Sequence, residues 1–226
     1  MNTVLVTGAS GNLGQTLVEH LHQAGYDILA TFQTERAARL FDHLPNVQTR
    51  LVDLLHEEAV DTFMASEPPA RLRAAVLLVG GFTTGTLADT NLDQIQKLIQ
   101  LNFVSAFTVV KALLPIFKQQ GSGQFVLVGA RPSLNADEGK NAVAYALSKA
   151  LIFQLADLIN ADGAGDITAS VVVPGILDTP ANRTAMPDAD PTQWVPTANL
   201  AELITFLLSD TGRMTRQTIV KLYNQS

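Results

Sequence analysis

Strand-like apolar runs alternate with amphipathic segments from one end of this chain to the other, and nothing else in it restricts the fold so sharply. The strand signals are Thr3–Thr7, Asp27–Phe32, Val47–Val52, Ala74–Val79, Gln124–Val128, Thr168–Val173 and Thr218–Leu222. Helical patterns lie between them, near residues 12–24, 34–42, 55–66, 91–118, 141–162 and 197–209. Several strands are apolar throughout rather than alternating, the pattern of strands covered on both faces. A βαβα order of such strands predicts a doubly wound α/β fold: a parallel sheet of about seven strands flanked by helices. At 226 residues, the span 1–226 reads as one domain. One stretch departs from the pattern. Five of the ten prolines (Pro174, Pro180, Pro187, Pro191 and Pro196) crowd into residues 174–196, so a functional loop rather than regular structure is expected at about 176–196.

Composition removes several function classes. Fifteen basic against twenty-one acidic residues give a net charge of -6, which offers no footprint for nucleic acid or an anionic membrane surface. No cysteine is present, so thiolate chemistry, disulfides and Cys-ligated metals are excluded. The four histidines (His20, His22, His43 and His56) all fall in the first quarter, and His20 and His22 point different ways on a helix. No metal site is expected. Charged residues make up only 16 % of the chain, against roughly 25 % in an ordinary soluble domain. A membrane span would explain that scarcity, but the run Ala74 to Val79 ends at Gly80-Gly81, far short of the ~20 apolar residues required. Self-association is the remaining explanation. Because a strand begins at Thr3, with no leader before it, a cytoplasmic protein is expected.

The first strand runs directly into Thr7-Gly8-Ala9-Ser10-Gly11-Asn12-Leu13-Gly14 and then an amphipathic helix. Glycines three apart at a strand-to-helix turn permit a tight bend, close approach of a pyrophosphate, and packing of helix on strand. Free N–H groups at the helix start then hold phosphates. At the first βα turn of an alternating chain, this is the mark of a Rossmann-type dinucleotide site. An acid closing the second strand would select NAD through the ribose 2′-OH. That position reads Thr31-Phe32-Gln33-Thr34, with Glu35 and Arg36 following, which leans toward NADP over NAD. Arg36 reads equally well as a solvated helix residue. Asp53, after the third strand, is placed either to accept from an adenine amino group or to cap the next helix.

Further along stands Tyr145-Ala146-Leu147-Ser148-Lys149, with Tyr145 and Lys149 four apart on one helical face. Together with the glycine turn, this resembles the short-chain dehydrogenase/reductase family over essentially the whole chain. The resemblance implies an NAD(P)-dependent oxidoreductase. Tyr145 would be the proton donor, and Lys149 would bind the nicotinamide ribose and lower the tyrosine pKa. Asn102, in Leu101-Asn102-Phe103, matches the asparagine that anchors a proton-relay water. The implied cofactor site comprises Gly8, Ser10, Gly11, Asn12, Leu13, Gly14, Gln33, Asp53, Leu54, Gly80, Gly81, Tyr145 and Lys149. It is completed by Pro174, Gly175, Ile176 and Thr179, from the loop that meets the nicotinamide amide.

The departures from the family pattern are informative. The fifth strand ends Val126-Leu127-Val128-Gly129-Ala130-Arg131, with Ala130 where the family usually carries a catalytic serine. Ser133, twelve residues before Tyr145, either substitutes for it or sits in an ordinary turn after Pro132. After the fourth strand the usual Asn-Ala-Gly is replaced by Val79-Gly80-Gly81-Phe82. Those two stretches, with Arg183 to Asp190 and Trp194, are similar to the quinonoid dihydropteridine reductases of the family. Their substrate needs a hydride and a proton but no tetrahedral alkoxide, so a carbonyl-holding serine has less to do. The expected activity is therefore reduction of a pterin-like or other small conjugated substrate. Phe82, Met186 and Trp194 either wall an apolar substrate pocket or pack the interior of the proline-rich loop. Two alternatives stand: a carbonyl/alcohol oxidoreductase using Ser133, and a non-catalytic NAD(P)-binding redox sensor.

The missing charge is concentrated. Leu98–Phe117 holds only Lys111, and Val143–Ile159 holds only Lys149 and Asp157. Helices apolar nearly all round are covered on two sides. One side meets the sheet, and in this family the corresponding helices pair across a two-fold axis. A homodimer or homotetramer through the fourth and fifth helical segments (91–118 and 141–162) is therefore expected.

Overall fold

The computed structural model describes residues 3–34, 37, 39–66, 72–163, 166–215 and 219–225. Its central feature is a seven-stranded, wholly parallel sheet in the order β3-β2-β1-β4-β5-β6-β9. The strands are β1 (Thr3–Thr7), β2 (Asp27–Phe32), β3 (Val47–Leu51), β4 (Leu72–Leu77), β5 (Ser122–Val128), β6 (Asp166–Pro174) and β9 (Ile219–Leu222). A two-stranded ladder, β7 (Leu177–Asp178) with β8 (Val195–Pro196), stands apart from it. The helices are α1 (Asn12–Gln23), α2 (Glu57–Ser66), α3 (Leu92–Ile99), α4 (Ser105–Gln120), α5 (Ala136–Gly139), α6 (Val143–Asp162), α7 (Pro180–Ala185) and α8 (Thr197–Leu208). This is the single-domain Rossmann arrangement that the alternation predicts.

Continuously apolar strands supply two cores at once. Leu5, Ala75, Leu77, Phe125, Leu127 and Val171 face one side, with Val109, Leu113, Ile152 and Ile159 of α4 and α6. Val4, Val6, Ala74, Val76, Val126 and Val172 face the other, with Leu17 and Leu21 of α1 and Leu200 and Ile204 of α8. The sheet order reverses between β1 and β4, and the strand ends there open a crevice for a ligand.

Several expectations need correction. The pattern over 34–42 is not an α-helix among the described residues. Ala37, Leu40, Asp42 and Leu44 donate three residues back, to Thr34, Ala37, Arg39 and Phe41, which makes a chain of tight turns. Glu35, Arg36 and Ala38 lie outside the described residues, as does Thr218 of the last strand signal. The helix expected over 91–118 is continuous over Leu92–Gln120, but it carries a π-helical turn at Gln100–Val104 that divides α3 from α4 and that was not expected. Run length also misjudged α3–α4 and α6: Leu92–Gln120 and Val143–Asp162 are each long and apolar enough to cross a membrane. Here their apolar faces line the sheet core instead. The proline-rich stretch is not devoid of regular structure, since it carries β7, α7, a 3₁₀ turn at Pro191–Gln193, and β8.

Candidate active site

The glycine turn divides its work as its spacing predicts. Gly8 has φ +65°, open to glycine and costly for other residues. A side-chain carbon on Gly14 would fall 2.4 Å from the Gly8 carbonyl oxygen and 2.7 Å from Ala9 Cα. One on Gly11 would meet nothing nearer than 3.4 Å. Gly14 is therefore spent on packing α1 against the strand, whereas Gly11 leaves the backbone open to a ligand. Gly14→Ala is expected to destabilise the fold by about 3 kcal/mol, because rigid backbone blocks the added methyl. Gly11→Ala should unfold at the wild-type denaturant midpoint yet bind dinucleotide more weakly. Chemical denaturation with cofactor titration checks both.

A cavity of about 220 Å³ opens at this turn, lined by Gly8, Ser10, Gly11, Gln33, Leu54 and Gly80 of the expected set. Thr31, Phe32, Val52, Leu55, Leu78, Val79, Leu101 and Ser105 complete the lining. Sequence reasoning missed these eight as site residues. Leu78 and Val79 read as strand because they are apolar, but they leave the ladder to form the cavity wall. Leu101 and Ser105 arrive through the π-helical turn, for which the sequence carries no signal. The amides of Asn12, Leu13 and Gly14 precede the first intrahelical bond, from Gln15 N–H to the Gly11 carbonyl, and are available to phosphates. Asp53 closes a local turn ahead of α2: its carboxylate accepts from Leu55 N–H at 3.0 Å and lies 3.5 Å from His56 Nε2, so it does not cap the helix, which starts at Glu57. A dinucleotide fits this glycine cradle and its apolar cleft.

The chemical end of the site gathers four elements. The Asn102 side chain accepts from Gly81 N–H at 2.8 Å and donates to the Gly81 carbonyl at 3.1 Å and to Ser148 Oγ at 2.8 Å. It thus holds backbone and serine where the resemblance implied a water anchor. Lys149 Nζ donates to the Val128 carbonyl at 2.8 Å, and burial brings its pKa down to about 8. A side-chain carbon on Gly80 would lie 2.7 Å from Asn102 Oδ1 and 3.3 Å from Lys149 Nζ, so any larger residue there would displace these two side chains. Burial pushes the Tyr145 phenol up to about 12. The expected lowering by Lys149 is not found in the protein alone, where desolvation decides the value.

The substrate candidates separate. Phe82 is 64 % exposed, and its ring meets Tyr145 edge-on, with centroids 4.9 Å apart at 81°. Ala130 is buried at the end of β5 and brings no hydroxyl. Ser133 Oγ is buried without a partner, in the turn where Ser133 N–H donates to the Ala130 carbonyl at 3.1 Å. Trp194, only 3 % exposed, takes the loop-packing role, and its carbonyl accepts from Asn224 Nδ2 at 3.0 Å. Met186 is half-buried at the end of α7. In the loop after β6, Gly175 N–H donates to Leu222 at 2.9 Å, and Thr179 Oγ1 caps α7 by accepting from Asn182 N–H at 3.2 Å. Pro174 ends β6, and the Ile176 carbonyl accepts from Val195 N–H at 2.7 Å.

A cradle for phosphates at one end of the crevice, and a tyrosine and lysine at the other, define an oxidoreductase working on a nicotinamide dinucleotide. The chain belongs to the short chain dehydrogenase family, whose model matches residues 2–190. It is 28 % identical to a dihydropteridine reductase of Dictyostelium discoideum over 231 residues, covering 99 % of this chain and 95 % of the relative. It is 27 % identical to a 7alpha-hydroxysteroid dehydrogenase of Bacteroides fragilis over 242 residues, covering 96 % and 91 %. A solved NAD(P)-dependent gluconate 5-dehydrogenase of Beutenbergia cavernae, put forward as such and holding NADP, superposes with a TM-score of 0.88. That match covers 99 % of this chain and 95 % of the other at 19 % identity.

Proposed function

We propose that this chain reduces a dihydropterin or another small, planar conjugated substrate, with Tyr145 as proton donor and NADP preferred over NAD. The observation that carries the reading is Ala130, buried two residues beyond β5 in the serine's place, while Tyr145 and Lys149 share α6 and Asn102 is bonded to Ser148 between them. A ketone becoming an alkoxide gains from a hydroxyl donor aimed at its oxygen. Reduction of a conjugated imine system, which takes the same hydride and proton, places the new charge on nitrogen, so no donor need be aimed at an oxygen. Likeness to the Dictyostelium reductase over nearly the full chain supports the same substrate class. Likeness at similar identity to a steroid dehydrogenase is why the class rests on the site rather than on relatedness.

When bound, the reduced dinucleotide supplies the hydride. Gly8, Ser10, Gly11 and the start of α1 would hold its phosphates, and its nicotinamide end would lie toward Gly80, at the far side of the cleft. With its pKa raised to about 12, Tyr145 stays protonated through the neutral range and gives its proton to the substrate nitrogen. Lys149, at about 8, is mainly an ammonium at neutral pH, and its role in this reading is to hold the nicotinamide ribose. Phe82, exposed and edge-on to Tyr145, stands at the mouth of the site where a planar substrate would meet it. Exposed Phe107 on α4 and Leu147 and Leu158 on α6 fit a homodimer through these helices. A cytoplasmic setting accords with the cysteine-free composition.

A panel of oxidised dihydropterin, quinones and ketones, run with NADH and with NADPH, tests this reading. The expected result is pterin reduction at least tenfold faster in kcat/KM than any ketone. Ketones preferred over pterins would sink it. The unpartnered Ser133 hydroxyl favours a second reading, carbonyl reduction with Ser133 on the substrate oxygen. That reading requires Ser133→Ala to abolish ketone turnover.

A further inference from the structure

Ser148 lies between the two chemical residues of α6, is fully buried, and has no part in the mechanism above. Its hydroxyl donates to the Tyr145 carbonyl at 2.9 Å and accepts from Asn102 Nδ2 at 2.8 Å. Asn102 belongs to another element, the π-helical turn, and grips both backbone groups of Gly81. A continuous chain of hydrogen bonds therefore runs from the end of β4, through the π-helical turn, to the backbone of the proton donor. A buried serine inside a helix is a poor choice for packing or propensity, since alanine fills a similar space at less cost. Its hydroxyl is retained here with both a donor and an acceptor role satisfied across elements.

We propose that Ser148 is a positioning residue: it sets the register of the Tyr145 turn against Gly80-Gly81, where the nicotinamide end is held. The local bond to Tyr145 aims the serine lone pair at Asn102, so α6 and the π-helical turn can dock in only one register. Lys149, the next residue, approaches the same Gly80 that Asn102 crowds. A shift of the serine would therefore move phenol and ammonium together relative to the glycine turn. Errors near 1 Å in such a geometry cost on the order of a hundredfold in rate.

The inference rests on the oxidoreductase reading, so its test has an arm that needs no substrate. Ser148→Ala should keep the wild-type circular dichroism spectrum and bind NADPH within about twofold. Its kcat should fall about 10- to 100-fold with the best substrate of the panel. In the protein without any ligand, amide exchange of Gly81 should quicken at least tenfold, while exchange in α1 stays unchanged. Ser148→Cys, which keeps the volume with a weaker donor and acceptor, should fall between wild type and Ser148→Ala in both readouts. The double variant Ser148→Ala, Asn102→Ala should be no slower than Asn102→Ala alone, since both break one chain. An unchanged kcat, an unchanged Gly81 exchange rate, or independent effects in the double variant would each overturn the proposal. The exchange arm decides even if the panel yields no pterin turnover.

Discussion

Tyr145→Phe is expected to lower kcat by about 10²- to 10⁴-fold while leaving the fold and dinucleotide affinity intact. The variant removes one oxygen and keeps the ring, so the edge-on contact with Phe82 survives. No buried partner is orphaned by it, and the penalty of burying the hydroxyl disappears. The pH profile gives a second signature. A phenol raised to about 12 is a competent acid throughout the neutral range, so wild-type reduction should show no loss from tyrosine ionisation below pH 9. Lys149, lowered to about 8, loses its charge as pH rises through that value. The wild-type rate should therefore decline on the alkaline side near pH 8, well before the tyrosine titrates. Initial rates over this range, together with a cofactor titration of Tyr145→Phe, check both points. A variant keeping more than about a tenth of the wild-type rate would remove Tyr145 from the role of acid.

The limits of β1 and β2 follow from sequence because both are apolar runs closed by polar residues or glycine, and local chemistry decides such edges. The glycine turn was legible for the same reason: Gly8 and Gly14 answer to backbone sterics that no distant contact alters. The π-helical turn at Gln100–Val104 was not. Its residues suit an α-helix, and what stands there is an Asn102 side chain committed to Gly81 and Ser148, tertiary bonds absent from local periodicity. The pattern over 34–42 failed in the opposite way, since apolar spacing was present but the bonds formed are three residues long. Trp194 shows the limit for substrate residues. An aromatic in a proline-rich loop reads the same whether it faces a ligand or the loop interior, and burial alone separates the two. The identities of Tyr145 and Lys149 were legible, but the phenol's pKa was not, because desolvation depends on everything packed around it.

Lys149→Met should stabilise the protein at neutral pH while crippling it as an enzyme. The lysine pKa falls from 10.5 to about 8 because its ammonium is buried. Below about pH 8 the native and unfolded chains are both protonated, and the cost of burying the charge is paid in full. Between about 8 and 10.5 the native protein releases its proton first, the unfolded chain binds more protons, and stability rises with pH. Above 10.5 both forms are neutral and the cost is gone. A shift of this size corresponds to about 3 kcal/mol at pH 7. The lost bond to the Val128 carbonyl, worth about 1 kcal/mol, offsets part of it. Lys149→Met should accordingly gain about 2 kcal/mol at pH 7, with the gain shrinking as pH rises toward 10.5. Tyr145 works in the opposite sense: with its native pKa raised, it withdraws stability as pH climbs from 10 toward 12. Urea denaturation of Lys149→Met in a Tyr145→Phe background isolates the lysine effect from that opposing slope. A variant less stable than its parent at pH 7 would mean that the ammonium is compensated where it sits. The lysine would then be a structural element of the site rather than a charge held there, at a cost in stability, for chemistry.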